Sequence, residues 1–428
     1  MQKIIKTRAS AIMTGKYINR IGSFIQLDLD YYIRNSFYLI MARGALMACG
    51  LLLSVTFARL VSQESYGQWN YVFSIIGICA ILTLPGMGTA ITQAVATGHG
   101  RVLIDGTRHR LRWSMLGSLA LAGVGLYYLL AGTAELGKGL LVAAIFLPFY
   151  QSFDGYAAYI TGKKQFDRLA KYQIITQVAA ILITVLVIYL SRNLVIIITA
   201  YLVSFTALKG YFFRTTSREA ASHKSDPSAI TFGNRMTIAY IPAMVRDQYD
   251  KIIIALFLSF TDLAIYSIAL AFSEILSPLR SIIASLVFPK LSQMNREQAY
   301  SEVRKRWPLV IAGFAVIGGV LIALCPYAIP LLYSQKYAAS VLYAQLLIVS
   351  VVISALDLII SKALFPSQRR VKDLYKLQIS SSVMGIILVT VLVINYGLMG
   401  AVIALILTRG FSLVYSLWLA GFLSPRKG

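Results

Sequence analysis

The sequence predicts an all-α polytopic membrane protein of twelve transmembrane helices in two six-helix lobes. Three observations carry this. Of 428 residues, 58% are hydrophobic and only 13% charged, far from the roughly 45–50% apolar usage of soluble domains. Apolar runs of about twenty residues, the length a helix needs to cross a bilayer, recur along the whole chain. Arginine and lysine gather in every second connection, as the positive-inside bias of short loops requires.

Residues 1–35 lack the apolar stretch of a cleavable signal peptide. They interleave Ile4, Ile5, Ile12, Ile18, Ile21 and Ile25 with basic residues and read as a cytoplasmic amphipathic arm on the inner leaflet or as a disordered tail. The first lobe, 36–213, holds candidate spans at 36–60, 69–96, 113–131, 139–161, 172–190 and 193–213. A polar cytoplasmic linker, 214–235, contains the breakers Asp226-Pro227 and Gly233. The second lobe, 236–422, holds spans at 236–259, 263–288, 307–332, 338–365, 374–394 and 397–422, and 423–428 form a cytoplasmic tail.

The basic connections are Arg101 to Arg112, Lys163 to Lys171, Arg214 to Arg235, Lys290 to Arg306 and Arg369 to Lys376; the others hold little beyond Lys138, Arg192 and Lys336. This alternation puts both termini inside. It also accounts for the net charge of +23 without nucleic acid as a partner. Cys49, Cys79 and Cys325 fall in apolar spans, and His99, His109 and His223 lie far apart in basic connections. No metal-ligand spacing or phosphate-cradling loop is present.

Two lobes that each begin and end inside are parallel pseudo-repeats. "FARLVSQESYGQWNYVF" (57–73) aligns with "IALFLSFTDLAIYSIAL" (254–270) at an offset of 197. There, Arg246, Asp247, Asp250 and Lys251 fall opposite Cys49, Gly50, Leu53 and Ser54. The first span does the same architectural job without charges, which favours a functional role for them.

Those four charges cost about 10–14 kcal/mol at mid-bilayer, against about 3–5 kcal/mol returned by the apolar residues of the span. Pairing Arg246–Asp250 and Asp247–Lys251 at i,i+4 reduces the deficit; packing or a wet cavity must supply the rest. Glu274 and Arg409 share this depth. Arg43, Asp154, Arg280, Asp357 and Lys362 lie nearer the cytoplasmic end. Arg43, Arg280 and Lys362 have snorkelling as an alternative. For Arg246, Asp250, Glu274 and Arg409 the alternatives are structural ion pairs or the lining of a substrate path. Pro85, Gly86 and Gly88 break the second span, Pro242 precedes the charged cluster, and Pro278 separates Glu274 from Arg280. Such breaks are tolerated where backbone faces protein or a cavity.

The stretches "ARLVSQESYGQWNYVFS", "LPGMGTAITQAVA", "QYDKIIIALFLSFTDLAIYSIALAF", "SLVFPKLSQ", "LLYSQKYAAS" and "NYGLMGAVIALILT", in this order, resemble the Wzx-type polysaccharide flippases. These belong to the multidrug/oligosaccharidyl-lipid/polysaccharide exporter superfamily. Family members often have Gly-Pro after the first span, where this chain has Gln63-Glu64. The resemblance implies two lobes around a central cavity in the bacterial inner membrane. It also implies alternating access that carries an undecaprenyl-pyrophosphate-linked oligosaccharide to the outer leaflet for O-antigen or exopolysaccharide synthesis, and polysaccharide-assembly proteins as partners. The family's acid and basic pair maps onto Asp250 and Lys251, and its cavity cations onto Arg43, Arg246 and Arg409.

Chemistry agrees: a guanidinium fork suits a pyrophosphate and stays charged when partly desolvated. The expected cavity cations are thus Arg43, Arg246, Lys251, Arg280 and Arg409, and the expected acids Asp154, Asp247, Asp250, Glu274 and Asp357. One such acid would load H+ or Na+; no other cofactor is expected. The nearest alternative is a cation-coupled multidrug exporter, which would want isolated acids in an apolar pocket. A membrane polymerase or ligase, the enzymatic alternative, would carry its catalytic groups on a long outward loop, and every outward loop here is short. A scaffold with purely structural cavity charges is the third.

Overall fold

A computed structural model describes residues 29–277, 279–280, 283, 287, 291–368 and 370–422. Most of the expected N-terminal arm and the 423–428 tail lie outside the described residues. No strand occurs among the described residues, and helices α1 to α8 comprise Leu29–Leu60, Gln63–Cys79, Met87–Ala96, Val102–Leu130, Ala134–Ser152, Gly155–Gly162, Phe166–Leu190 and Leu194–Ala220. In the second half α9 is Pro227–Phe257, α10 Phe260–Ser273, α11 Arg296–Tyr333, α12 Ser340–Ile359 and α13 Val371–Ala420. Short polar residues set the starts. Ser62, Asn193, Asp226, Ser259 and Asn295 each accept a backbone N–H of the following first turn, which satisfies donors that no helix can pair internally.

Among the described residues seven helical spans, α5 and α6 counting as one, are long and apolar enough to cross a bilayer, or eight when the bent pair α2–α3 counts as one span. The expected twelve are therefore not all met as separate apolar helices, for identifiable reasons. The charges of α9 remove it from this set, and α10 has only 14 residues; α10 and α12 continue into a 3-10 turn (Glu274–Leu276) and a π turn (Ile360–Leu364). The last two expected spans share α13. Gly397 there has φ 59° and ψ −140°, and a Cβ on Gly400 would fall 1.9 Å from the Leu392 carbonyl oxygen while one on Gly385 would meet Thr408 at 3.2 Å. Positions 385 and 408, like 392 and 400, are thus opposed, so α13 is an antiparallel hairpin turned at a glycine in a conformation most residues avoid.

The expected linker 214–235 is shorter than the sequence suggests. Helix α8 runs to Ala220, and α9 starts at Pro227 behind the Asp226 cap, so only 221–226 connect the halves. Gly233 acts as a notch rather than a breaker: a Cβ there would stand 2.8 Å from Met87 Sδ. The break expected at 83–90 is real. Leu84 adopts φ 53° before Pro85, and the helices on either side bend by 51°.

The halves repeat each other in packing. Helix α1 packs on α7, and α9 on the first arm of α13, where Tyr249 Oη lies 2.8 Å from Thr390 Oγ1. Helix α5 packs on α8, and α12 on the second arm of α13 through Ser350 and Arg409. In these later helices the register is an offset of 200. Ala144 and Ala344, Leu147 and Leu347, Leu202 and Val402, and Thr216 and Ser416 are all buried at that spacing.

Three of the four apolar clusters among the described residues mark the two ends of the molecule. One, containing Phe57, Tyr66, Trp69, Leu140, Ile198, Ile254, Tyr266, Tyr333, Ala344 and Val402, joins both halves at the end opposite the basic connections. At the basic end there are two: Met87, Leu103, Tyr159 and Phe212 with Ala229 of α9, and Leu291, Val303, Ile359, Phe365 and Leu377 in the second half. The halves are thus fused in one cluster at the far end, while at the basic end each keeps a cluster of its own, with α9 reaching across to the broken span. Polar contacts reinforce the fused end. Arg59 donates to the carbonyls of Leu331 and Leu332 at the end of α11, and Lys336 donates to Val61 O (2.8 Å) just past the end of α1. Each helix C-terminus, with unpaired carbonyls and a negative dipole end, is capped by a cation of the other half.

Candidate functional site

Helix α9 lies between the halves. Toward the basic end it docks on the broken span: Gly86 N donates to Thr237 Oγ1 (3.1 Å), and Thr89 Oγ1 lies 3.0 Å from Tyr240 Oη. Further along, a cavity of about 280 Å³ opens between α2, its break, α5 and α9, lined by Gly77, Thr83, Pro85, Gln151, Asp247 and Gln248 among others. Arg110, buried on α4, donates to Thr83 O (3.0 Å) and Gln151 O (2.7 Å). It thereby satisfies carbonyls left over by two interrupted helices.

The second half holds the densest charge cluster. Glu274 Oε2 accepts from Arg280 (2.7 Å) and Oε1 from Arg409 (2.9 Å). Arg280 also donates to Ser354 Oγ and Ser277 Oγ, both at 2.6 Å, and Arg409 to Ser350 Oγ at 3.0 Å. Tyr266, fully buried, donates to Asp250 Oδ2 (2.6 Å) and lies within Coulombic reach of Arg409 and Glu274. The triad carries a surplus positive charge, and a third of the Glu274 side chain remains exposed. It stands apart from the lining of the 280 Å³ cavity.

Of the expected site residues, Glu274, Arg280, Arg409 and Asp250 meet here. Arg280 is an ion-pair partner in the cluster rather than a snorkelling side chain. Arg246 and Asp247 are exposed or half-exposed, and Arg246 is within Coulombic reach of Asp357 on α12. Asp357 Oδ2 accepts from Ser412 (2.7 Å), while its Oδ1 is buried with no hydrogen bond among the described residues. The i,i+4 pairs do not form. Arg246 instead meets its neighbour Asp247 at 3.4 Å, and Asp250 turns to Tyr266 and to Lys251 N. The i,i+4 rule describes an isolated helix; here a buried hydroxyl from α10 is the better donor. Among the described residues Lys251 and Arg43 make no ion pair, and Arg43 is exposed on α1. Asp154, at the joint of α5 and α6, pairs with Lys209 on α8 at 3.0 Å.

Three polar side chains at these clusters escaped sequence reading. Lys209 sits inside the apolar run 193–213, and its partner lies on a distant helix. Arg110 looked like part of a basic connection, but α4 begins at Val102, which places it two turns into the helix. Tyr266 gave no signal at all.

The family model described as polysaccharide biosynthesis protein matches residues 56–342. Comparison with curated protein sequences gives no match. Among solved structures, the fold resembles the lipid II flippase MurJ in an inward closed conformation, with TM-score 0.69, 14% identity, and coverage of 90% of this chain and 87% of that one. It equally resembles an inward-facing multidrug resistance MATE family transporter, with TM-score 0.69, 13% identity, and coverage of 88% and 94%. A third similar structure is an outward-facing multidrug resistance MATE family transporter, with TM-score 0.59, 11% identity, and coverage of 92% and 96%.

Proposed function

Because the chain belongs to the family of polysaccharide biosynthesis proteins, within the multidrug/oligosaccharidyl-lipid/polysaccharide exporter superfamily, we propose that it is a lipid-linked oligosaccharide flippase. In this reading it moves an undecaprenyl-pyrophosphate-linked repeat unit from the inner to the outer leaflet of the bacterial cytoplasmic membrane, for O-antigen or exopolysaccharide synthesis. The observation that carries it is the Arg280–Glu274–Arg409 triad: two guanidinium groups over one carboxylate, with the acid partly exposed. A surplus of guanidinium forks suits a phosphate-bearing headgroup. The isoprenoid tail stays in hydrocarbon, so only the head needs a charged route.

The halves keep separate apolar clusters at the end with the basic connections, which the positive-inside rule assigns to the cytoplasm. The headgroup would enter there, with Arg246 and Arg43 on the approach. Closing the basic end and separating Arg59 and Lys336 from their carbonyls would release it outside. Ion coupling by H+ or Na+ falls on Asp357 better than on Glu274. One Asp357 oxygen has no hydrogen bond among the described residues, whereas both Glu274 oxygens are engaged. A cation-coupled multidrug exporter would share the fold and would use acids facing the cavity; Asp247 lines it, but beside Arg246 at 3.4 Å, while Glu274 and Asp154 are each held by cations.

Binding separates the two readings. The purified protein should bind a short-chain isoprenyl pyrophosphate, and a rhodamine cation in excess should not displace it. Tight dye binding with no pyrophosphate binding would favour the multidrug reading.

A further inference from the structure

The offset of 200 that relates the later helices also relates their charges. Lys209 falls opposite Arg409, Tyr150 opposite Ser350 and Asp154 opposite Ser354. The contacts repeat as well. Lys209 Nζ donates to Tyr150 O (3.2 Å), as Arg409 donates to Ser350 Oγ (3.0 Å), so the cation of the last helix leans on the same position of the fourth in each half. Each cation also holds an acid, Asp154 at 3.0 Å and Glu274 at 2.9 Å. Each acid has a second cation nearby: Arg280 bonds Glu274 at 2.7 Å, and Arg110 donates to Gln151 O at 2.7 Å, three residues before Asp154. In both halves the acid is the outermost member. Asp154 is 46% exposed over Lys209 at 10%, and Glu274 is 33% exposed over Arg409 at 17%.

We propose that Lys209, Arg110 and Asp154 form a second anion subsite, the counterpart of the Arg280–Glu274–Arg409 triad, in which the carboxylate is a resident anion that a phosphate group displaces. The inference rests on the flippase reading and names the second place where the headgroup is held. Two like-charged cations around one acid leave one positive charge in excess in each half. A pyrophosphate diester carries about one negative charge on each phosphorus, so two such subsites match it one phosphate to one half. Gln151, three residues before Asp154, lines the cavity between the halves, which places the subsite beside space a headgroup can reach. The acid keeps each buried cation paired when no substrate is present, and an unpaired buried cation is costly. Binding is then an exchange of one anion for another rather than the filling of an open charge.

Removing the resident anion should therefore tighten binding. With inorganic pyrophosphate as probe and the full-length protein in lipid nanodiscs at low salt, Asp154→Asn should bind on the order of tenfold more tightly than the parent. Asp154→Ser, which copies the residue at 354, should do the same and guards against a misfolded Asn variant. Lys209→Met should weaken binding, alone and combined with Asp154→Asn. Unchanged affinity in all of these, with Arg409→Gln still weakening binding, would overturn the second subsite and leave the flippase reading intact. Absence of pyrophosphate binding to the parent protein would overturn both.

Discussion

Arg409→Gln should reduce transport of a pyrophosphate-linked glycan by roughly 30- to 150-fold, the kinetic equivalent of about 2–3 kcal/mol for truncating one partner of a largely buried, hydrogen-bonded charge pair. Glutamine keeps an amide donor but ends where arginine has Nε, so the charge and the reach to Ser350 and Glu274 are lost together. Glu274 keeps Arg280, at 2.7 Å, so the fold should survive and protein level should stay near that of the parent. Arg409→Lys should recover only part of the activity, because an ammonium cannot bridge Ser350 and Glu274 as the guanidinium fork does. Surface polysaccharide, read with membrane protein level, checks this; normal polysaccharide from the Gln variant would make the triad a structural device.

Gly67→Ala should stall the cycle from the other direction. Gly67 lies in the first turns of α2, at the fused end, and a Cβ there would sit 1.7 Å from Phe260 O on α10. The obstacle is backbone, so no side chain can swing away and the two halves must part. Parting them also breaks the capping of Val61 by Lys336 and of Leu331 and Leu332 by Arg59. A shift of even 3 kcal/mol changes the ratio of closed to open outer ends by more than about 100-fold. Transport should fall to background. A cysteine at Asp247, in a chain lacking Cys49, Cys79 and Cys325, should become reactive to an impermeant maleimide from the side opposite the basic connections. Unaltered transport with labelling from the basic side alone would show that the contact between α2 and α10 does not govern the outer end.

Much of the fold was legible because lipid imposes it. Runs of apolar residues, the glycine and proline break at 83–90 and the spacing of basic connections follow from hydration and translocation alone, with no knowledge of neighbours. The common depth of Glu274 and Arg409 could be read by counting along their helices, and they do meet. Partner choice could not be read that way. Asp250 and Arg246 are one turn apart, yet Asp250 takes a hydroxyl from α10, a matter of which helix packs where. Gly233 looked like a breaker because glycine at a notch and glycine at a turn are the same letter; only Met87 opposite it distinguishes them. The repeat was faint for a related reason. What Leu202 and Val402, or Thr216 and Ser416, share is burial at one register rather than identity.

The most direct measurement is flipping by the purified protein in vesicles, with a fluorescent lipid-linked oligosaccharide placed in one leaflet. If the charged cluster carries a phosphate-bearing headgroup, the pyrophosphate-linked lipid crosses in a protein-dependent way. In that case Arg409→Gln slows the crossing by roughly the same 30- to 150-fold, and a neutral lipid bearing the same sugar does not cross. Equal movement of the neutral lipid, or protein-dependent movement of a rhodamine cation in place of the pyrophosphate lipid, would contradict it.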